Sequence, residues 1–297
     1  MIKQIVNTKN ITDAEAVILS APYEKTASSG KGTINGPKAV LKCLNEKLEF
    51  FDRKFKIETN SFVKIGQEDL KNISKLAPEK AVQKIQEIYS KLIKQNKFVL
   101  LLGGEHSVSI GAFEALAKKY DPKDVTLVQF DAHCDLRNDD SDYSKKPTKF
   151  AHSCLMRRGS ELGYKIVQIG IRTYDQSEYD YFSDPKNNVT VFEWGNNHKI
   201  PTLEEILNSI TTKYVYLTID VDGFDPAHMP GTGTPVQGGL EWWYGLNLIE
   251  NIIDKKELIG ADIVEVSPQK ETVLTEYGAA QIGYTIIAHK FKQKFQA

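Results

Sequence analysis

The chain has 297 residues, 41% of them hydrophobic and 26% charged, and a formal net charge of -1. This is the composition of a soluble globular protein, and a single domain over residues 1–297 is expected. A balance so close to neutral gives no electrostatic handle for nucleic acid or an anionic membrane, so a small molecule is the expected partner. Cys43, Cys134 and Cys154 form no Cys-x-x-Cys pair and leave at least one thiol free, which fits a reducing cytoplasm. The N-terminal stretch lacks the apolar centre of a signal peptide, and runs such as 98–102 are too short to span a bilayer.

In chain order, the pattern predicts a strand over 16–21 and helices near 37–48 and 78–95, then a strand over 98–102 and a helix over 107–119. Strands follow over 125–130 and 166–171, a helix over 203–211, and a strand over 214–219. A helix over 241–254, a strand over 259–266 and a helix over 276–295 complete the series. Strands alternating with helices argue for a three-layer α/β/α fold with a mostly parallel central sheet. The polar stretch 138–149 reads as a surface loop, either a plain connection or a substrate lid, and 183–188 reads as a turn.

Chemistry-bearing residues gather where these strands end. His106 closes Gly-Gly-Glu-His, Asp131, His133 and Asp135 lie in Asp-Ala-His-Cys-Asp, and Asp220 and Asp222 lie in Asp-Val-Asp. Strand alternation is expected to put 131, 133 and 135 on one side, and 220 and 222 likewise. Asp and His also close strands as ordinary turn and cap residues. Four carboxylates brought together, however, repel one another and are costly to desolvate unless cations hold them. In open parallel sheets ligands bind beyond the carboxyl ends of the strands, where these segments sit. Oxygen-rich ligation with two imidazoles favours Mn²⁺, while Zn²⁺, Ni²⁺, Co²⁺ and Fe²⁺ stay open. Cys134 is expected to turn away and pack rather than ligate.

Together these segments resemble the ureohydrolase family of arginases and agmatinases. The resemblance rests on Gly103-Gly104-Glu105-His106-Ser107, Phe130-Asp131-Ala132-His133-Cys134-Asp135 and Thr218-Ile219-Asp220-Val221-Asp222-Gly223-Phe224-Asp225-Pro226. It continues through Pro230-Gly231-Thr232-Gly233-Thr234-Pro235 and Asp262-Ile263-Val264-Glu265-Val266, with 29–32 and Gly36-Pro37 matching the N-terminal loop. It implies an arginase-like fold, two Mn²⁺ per subunit bridged by Asp131 and Asp220, and a homotrimer or hexamer. His106 and Asp135 would complete one coordination shell, His133 and Asp222 the other, with Asp225 either supporting the ligands from behind or structural. Two cations flanking one water can lower its pKa towards neutrality and present hydroxide to a guanidinium carbon. The resemblance further implies Asp135 as the group orienting that hydroxide, His152 as proton shuttle and Glu265 as guanidinium holder.

Among family members, Asp-Leu-Arg, His-Ser-Cys-Leu-Met-Arg-Arg and Gly-Phe-Asp-Pro-Ala look most like agmatinases, which convert agmatine to putrescine and urea. Arginase, guanidinobutyrase and formimidoylglutamase are alternatives on the same metal centre, and Arg137 or Arg157 near the pocket would favour an acidic substrate tail. A deacetylase-like enzyme would need fewer ligands, and a silent binding protein would show a lost one.

Overall fold

The computed structural model describes residues 4–296, so residues 1–3 and 297 of the expected domain lie outside it. Ten strands form in chain order: β1 Ala16–Ala21, β2 Phe51–Asp52, β3 Ile57–Glu58, β4 Ile65–Asp69, β5 Phe98–Gly103, β6 Val125–Phe130, β7 Lys165–Ile171, β8 Val189–Glu193, β9 Tyr214–Asp220 and β10 Glu257–Val264. The helices are α1 Gly36–Glu46, α2 Pro78–Lys94, α3 Val108–Ala117, α4 Leu155–Glu161, α5 Gln176–Ser183, α6 Leu203–Ser209, α7 Trp242–Lys255 and α8 Leu274–Lys290. Strands β2 and β3 make a small antiparallel hairpin, while the other eight form one sheet ordered β4-β1-β5-β10-β9-β6-β7-β8, every pairing parallel.

Central strands such as Val125–Phe130 are buried along their whole length, as a sheet covered on both faces requires. One apolar layer joins β-strand side chains to α1, α6, α7 and α8, and the other joins them to α2, α3 and α4, giving the three layers expected. Full burial of one such Leu, Ile or Phe side chain contributes about 1.5–3 kcal/mol. Helix α2 begins at Pro78, whose missing N–H is no loss in a first turn. Reciprocal capping boxes start α5, through Asp175 and Glu178, and α6, through Thr202 and Glu205.

The chain order creates the place for a site. From β5 the chain passes over the positions later filled by β10 and β9 and enters the sheet again at β6, so strand order reverses in the middle. A crevice opens at such a switch point beyond the carboxyl ends. The segments following β5, β6, β9 and β10 all project there.

Candidate metal centre

Two turns, rather than continued strands, bring the acidic side chains together. After β6 the backbone leaves the sheet, with only a single bridge from His133 to Thr173, and Asp135 adopts φ 51°. After β9, Val221–Gly223 is a 3-10 turn in which the Asp222 N–H donates to Asp220 Oδ1 at 2.9 Å. Strand alternation is therefore not what aligns 131 with 135, or 220 with 222. Gly223 lets the two turns touch, since a Cβ there would lie 2.6 Å from the Asp131 nitrogen.

His106 is fully buried, and its Nδ1 faces Asp131 Oδ2 and Asp135 Oδ2 at 3.1 Å each and Asp220 Oδ2 at 3.4 Å. The partly exposed His133 places Nδ1 3.4 Å from Asp131 Oδ1 and 3.2 Å from Asp222 Oδ2. Two donor groups result, His106-Asp131-Asp135 and Asp131-His133-Asp222, and Asp131 is common to both. All six sequence-predicted ligands thus converge. Cys134 is buried among apolar side chains and belongs to neither donor group.

Thr218, which the sequence reading passed over, orients His106. Tyr216 OH and Thr218 Oγ1 both donate to Asp262, at 2.8 and 2.7 Å, and Thr218 Oγ1 lies 2.7 Å from His106 Nε2. With its own proton given to Asp262, Thr218 can only accept, so Nε2 carries a hydrogen and Nδ1 is the nitrogen turned to the carboxylates, its lone pair available to a cation once its own proton is displaced. That buried Nδ1 has no hydrogen-bond partner among the described residues. Donor atoms about 3 Å apart match neighbouring corners of an octahedral shell with bonds of about 2.1 Å. The donor set fits divalent cations.

Electrostatics supports the same fit. Burial, with the charge of Asp131 added, pushes Asp135 up to about 6, and burial with Asp222 and Asp131 pushes Asp220 well above the usual carboxylate range. Burial also acts on Asp131, but the His106 and His133 rings outweigh it and hold this carboxyl below its ordinary range. His133 is lifted to about 12 by Asp222 and Asp131 against its burial.

Glu265 and His152 stand beside this centre. Glu265 adopts φ 60°, accepts the His106 N–H at 2.8 Å and donates its own N–H to the Gly104 carbonyl at 2.8 Å. His152 Nδ1 is 3.6 Å from Glu265 Oε1. The Ser28 N–H lies 3.2 Å from His152 Nε2 and can donate to it when the ring is neutral, and Glu105 holds Thr26, whose hydroxyl accepts the His152 backbone N–H. Burial favours the neutral ring, but Glu265, Asp135 and Glu105 outweigh it and lift His152 to about 9.

A pocket of about 280 Å³ joins Asp135, His133, Asp220 and His152 to a polar mouth. Within the 138–149 loop, Asp142 and Tyr143 line it. Arg137 also lines it, but its guanidinium is occupied: it pairs with Asp142, lies 3.3 Å from Asp175 and 3.9 Å from Glu178. Three carboxylates around one guanidinium leave the mouth acidic. Arg157 instead pairs with Glu161 and stacks on Tyr181, outside the pocket lining. Thr234, from the Pro-Gly-Thr-Gly-Thr-Pro segment, donates to Asp222 at 3.2 Å. Asp225 accepts the N–H groups of Ala227, Gly238 and Gly239. His289 is a buried partner of Asp254 and belongs to neither donor group.

The arginase family's sequence profile matches residues 14–288. The chain belongs to the arginase family. An N(1)-aminopropylagmatine ureohydrolase of Synechocystis sp. is 34% identical, covering 97% of this chain and 94% of that protein. The agmatinase of Bacillus subtilis is 31% identical, covering 86% of this chain and 84% of its own length. Among solved structures, the agmatine ureohydrolase of Thermoplasma volcanium has a TM-score of 0.81 at 28% identity, covering 99% of this chain and 95% of that one. The fold therefore agrees with the three-layer arrangement its strand and helix pattern predicts and with the arginase-like fold the resemblance implies.

Proposed function

We propose that the chain is a dinuclear manganese amidinohydrolase that cleaves the guanidinium group of agmatine, releasing urea and putrescine. The observation carrying this reading is the sharing of Asp131 between two imidazole-carboxylate groups, of which His133 and Asp135 line one pocket. His106, Asp131, Asp135 and Asp220 would hold one cation, and His133, Asp131, Asp220 and Asp222 the other. Carboxylate and imidazole donors with no thiolate support Mn²⁺. Two such cations, when bound, supply Lewis acidity that makes water nucleophilic near neutral pH.

The remaining chemistry falls to side chains. Glu265, braced by the His106 N–H, is placed to grip the substrate guanidinium and fix its plane. Asp135 orients the attacking water by accepting its proton in a hydrogen bond. As the bond between the guanidinium carbon and the alkyl nitrogen breaks, His152 delivers a proton to the departing amine. The acidic mouth formed by Asp142, Asp175 and Glu178 suits a cationic tail and disfavours a carboxylate.

That same mouth supports a second reading, N(1)-aminopropylagmatine, whose additional amine would meet the surplus carboxylates; the Synechocystis relative carries this activity in its name. A cytoplasmic homo-oligomer accompanies the proposal, with the exposed Phe51, Trp243 and Leu274 supplying apolar surface for self-association. Among the described residues no helix is long and apolar enough to cross a membrane. The test is urea release by Mn²⁺-loaded protein from agmatine, N(1)-aminopropylagmatine, arginine and 4-guanidinobutyrate, with formamide release from formimidoylglutamate alongside. Turnover confined to the two cationic-tailed guanidines is expected, and preference for a carboxylate-bearing substrate would replace the substrate assignment.

A further inference from the structure

Two glutamine side chains lie directly beneath the shared carboxylate. Gln129 on β6 and Gln168 on β7 are cross-strand partners, both fully buried, on the sheet face otherwise filled by Val125, Leu127 and Ile166. Their hydrogen bonds have only one consistent direction. The Cys134 carbonyl can only accept, so Gln168 turns its amide nitrogen to it, at 2.6 Å. The same nitrogen donates to Gln129 Oε1. With its oxygen thus used, Gln129 presents its nitrogen to Asp131 Oδ2 at 2.6 Å and, more weakly, to the His133 carbonyl at 3.5 Å. Flipping either amide would set oxygen against oxygen.

We propose that Gln129 and Gln168 are positioning residues for the dinuclear centre: Gln168 holds Gln129 and the Cys134 carbonyl, and Gln129 fixes the plane of the Asp131 carboxylate. This inference rests on the metal-centre reading above. The relay tethers the bridging oxygen and the backbone on which His133 and Asp135 are carried, so it acts on both cation sites at once. Its effect on folding is mixed: replacing the amides removes the unpartnered Gln168 Oε1, but leaves the Cys134 carbonyl and Asp131 Oδ2 without these donors.

The experiment is Mn²⁺ binding by equilibrium dialysis, with thermal unfolding of the metal-free protein, for Gln129→Met, Gln168→Met and the double variant. Partners in the outer shell of a metal site typically contribute about 10–100-fold in affinity, and Gln129→Met is expected to weaken Mn²⁺ binding by that factor. Gln168→Met should produce a smaller loss. The double variant should bind no worse than Gln129→Met, because links of one chain do not add. Any fall in metal-free melting temperature reflects the loss of these donors, and Mn²⁺ binding is therefore measured where each metal-free variant is fully folded. Undiminished Mn²⁺ affinity in both single variants, measured where each is fully folded, or losses that add in the double, would overturn the relay. Gln168→Met, which leaves the direct contact with Asp131 in place, keeps the test available should Gln129→Met not fold. An unaltered protein that binds no Mn²⁺ would instead overturn the reading of the site itself.

Discussion

Thr218→Val isolates the hydroxyl that stands between Asp262 and His106. Valine keeps the shape of the side chain and removes two hydrogen bonds of 2.7 Å each. Asp262 retains Tyr216 but loses its Oδ1 donor, and the His106 Nε2–H is left facing a methyl group inside a fully buried site. Each loss costs about 1–3 kcal/mol, so the metal-free protein should lose roughly 2–6 kcal/mol. At about 2–4 °C per kcal/mol for large domains, its melting temperature should fall by at least about 4 °C. The imidazole is also freed to rotate or to change tautomer, and Mn²⁺ affinity should drop about 10–100-fold. Differential scanning calorimetry and Mn²⁺ dialysis measure the two effects separately, and Thr218→Ser should restore both. A valine variant that melts with the parent and binds Mn²⁺ undiminished would refute the orienting role of Thr218.

Asp131→Ala or Asp220→Ala should abolish urea release and lower metal content; near-normal turnover with two bound metals would sink the ligand scheme. His152→Ala should lower kcat with metal content intact. Because His152 is lifted to about 9, the ring carries its second proton below that pH and proton donation fades as pH rises through it. The parent's kcat profile should therefore have an alkaline limb near 9, moved lower by the charge of bound cations, and a His152→Ala profile that keeps the limb would exclude this group. Chelation should lower thermal stability, since Mn²⁺ at 100 times its Kd adds about 2.7 kcal/mol. Asp135 is raised to about 6, so its contribution to metal-free stability is fully present below its ordinary value and is lost as pH rises through about 6. The gap between metal-loaded and metal-free melting temperatures should accordingly widen from pH 5 to pH 8, and equal values at pH 8 would contradict the site.

The central strands and longest helices were legible because their apolar runs or one-sided patterns are unambiguous, and Ala16–Ala21 and Val125–Phe130 appear as read. Strands β4 and β8 were missed because edges carry polar residues, as in Ile-Gly-Gln-Glu-Asp. Helices α4 and α5 are short, though the Asp175 and Glu178 capping box was a usable signal. The six donors were legible as residue types at strand ends. Their geometry was not, because Asp135 and Asp222 are aimed by turns whose φ values no alternation rule contains. Thr218, Gln129 and Gln168 were hidden for another reason: Thr218 meets Asp262, and Gln129 meets Gln168, through strand register, which is a property of pairing and not of one segment. Asp262, a carboxylate inside the apolar run of β10, was the visible clue to such a partner.

The three thiols described above give the molecule a built-in clock for local opening. All are buried and none is bonded to another. Cys134 sits between His133 and Asp135, and Cys154 follows His152 by two positions, whereas Cys43 lies on α1 in the opposite apolar layer. Burial raises all three thiols, Cys154 to about 11, so a thiol reagent must wait for the fold to open. Labelling at Cys134 or Cys154 that outruns labelling at Cys43 reports breathing of the site alone, and equal rates report global unfolding. The natural sequence thus carries two probes and their internal control, without any introduced label.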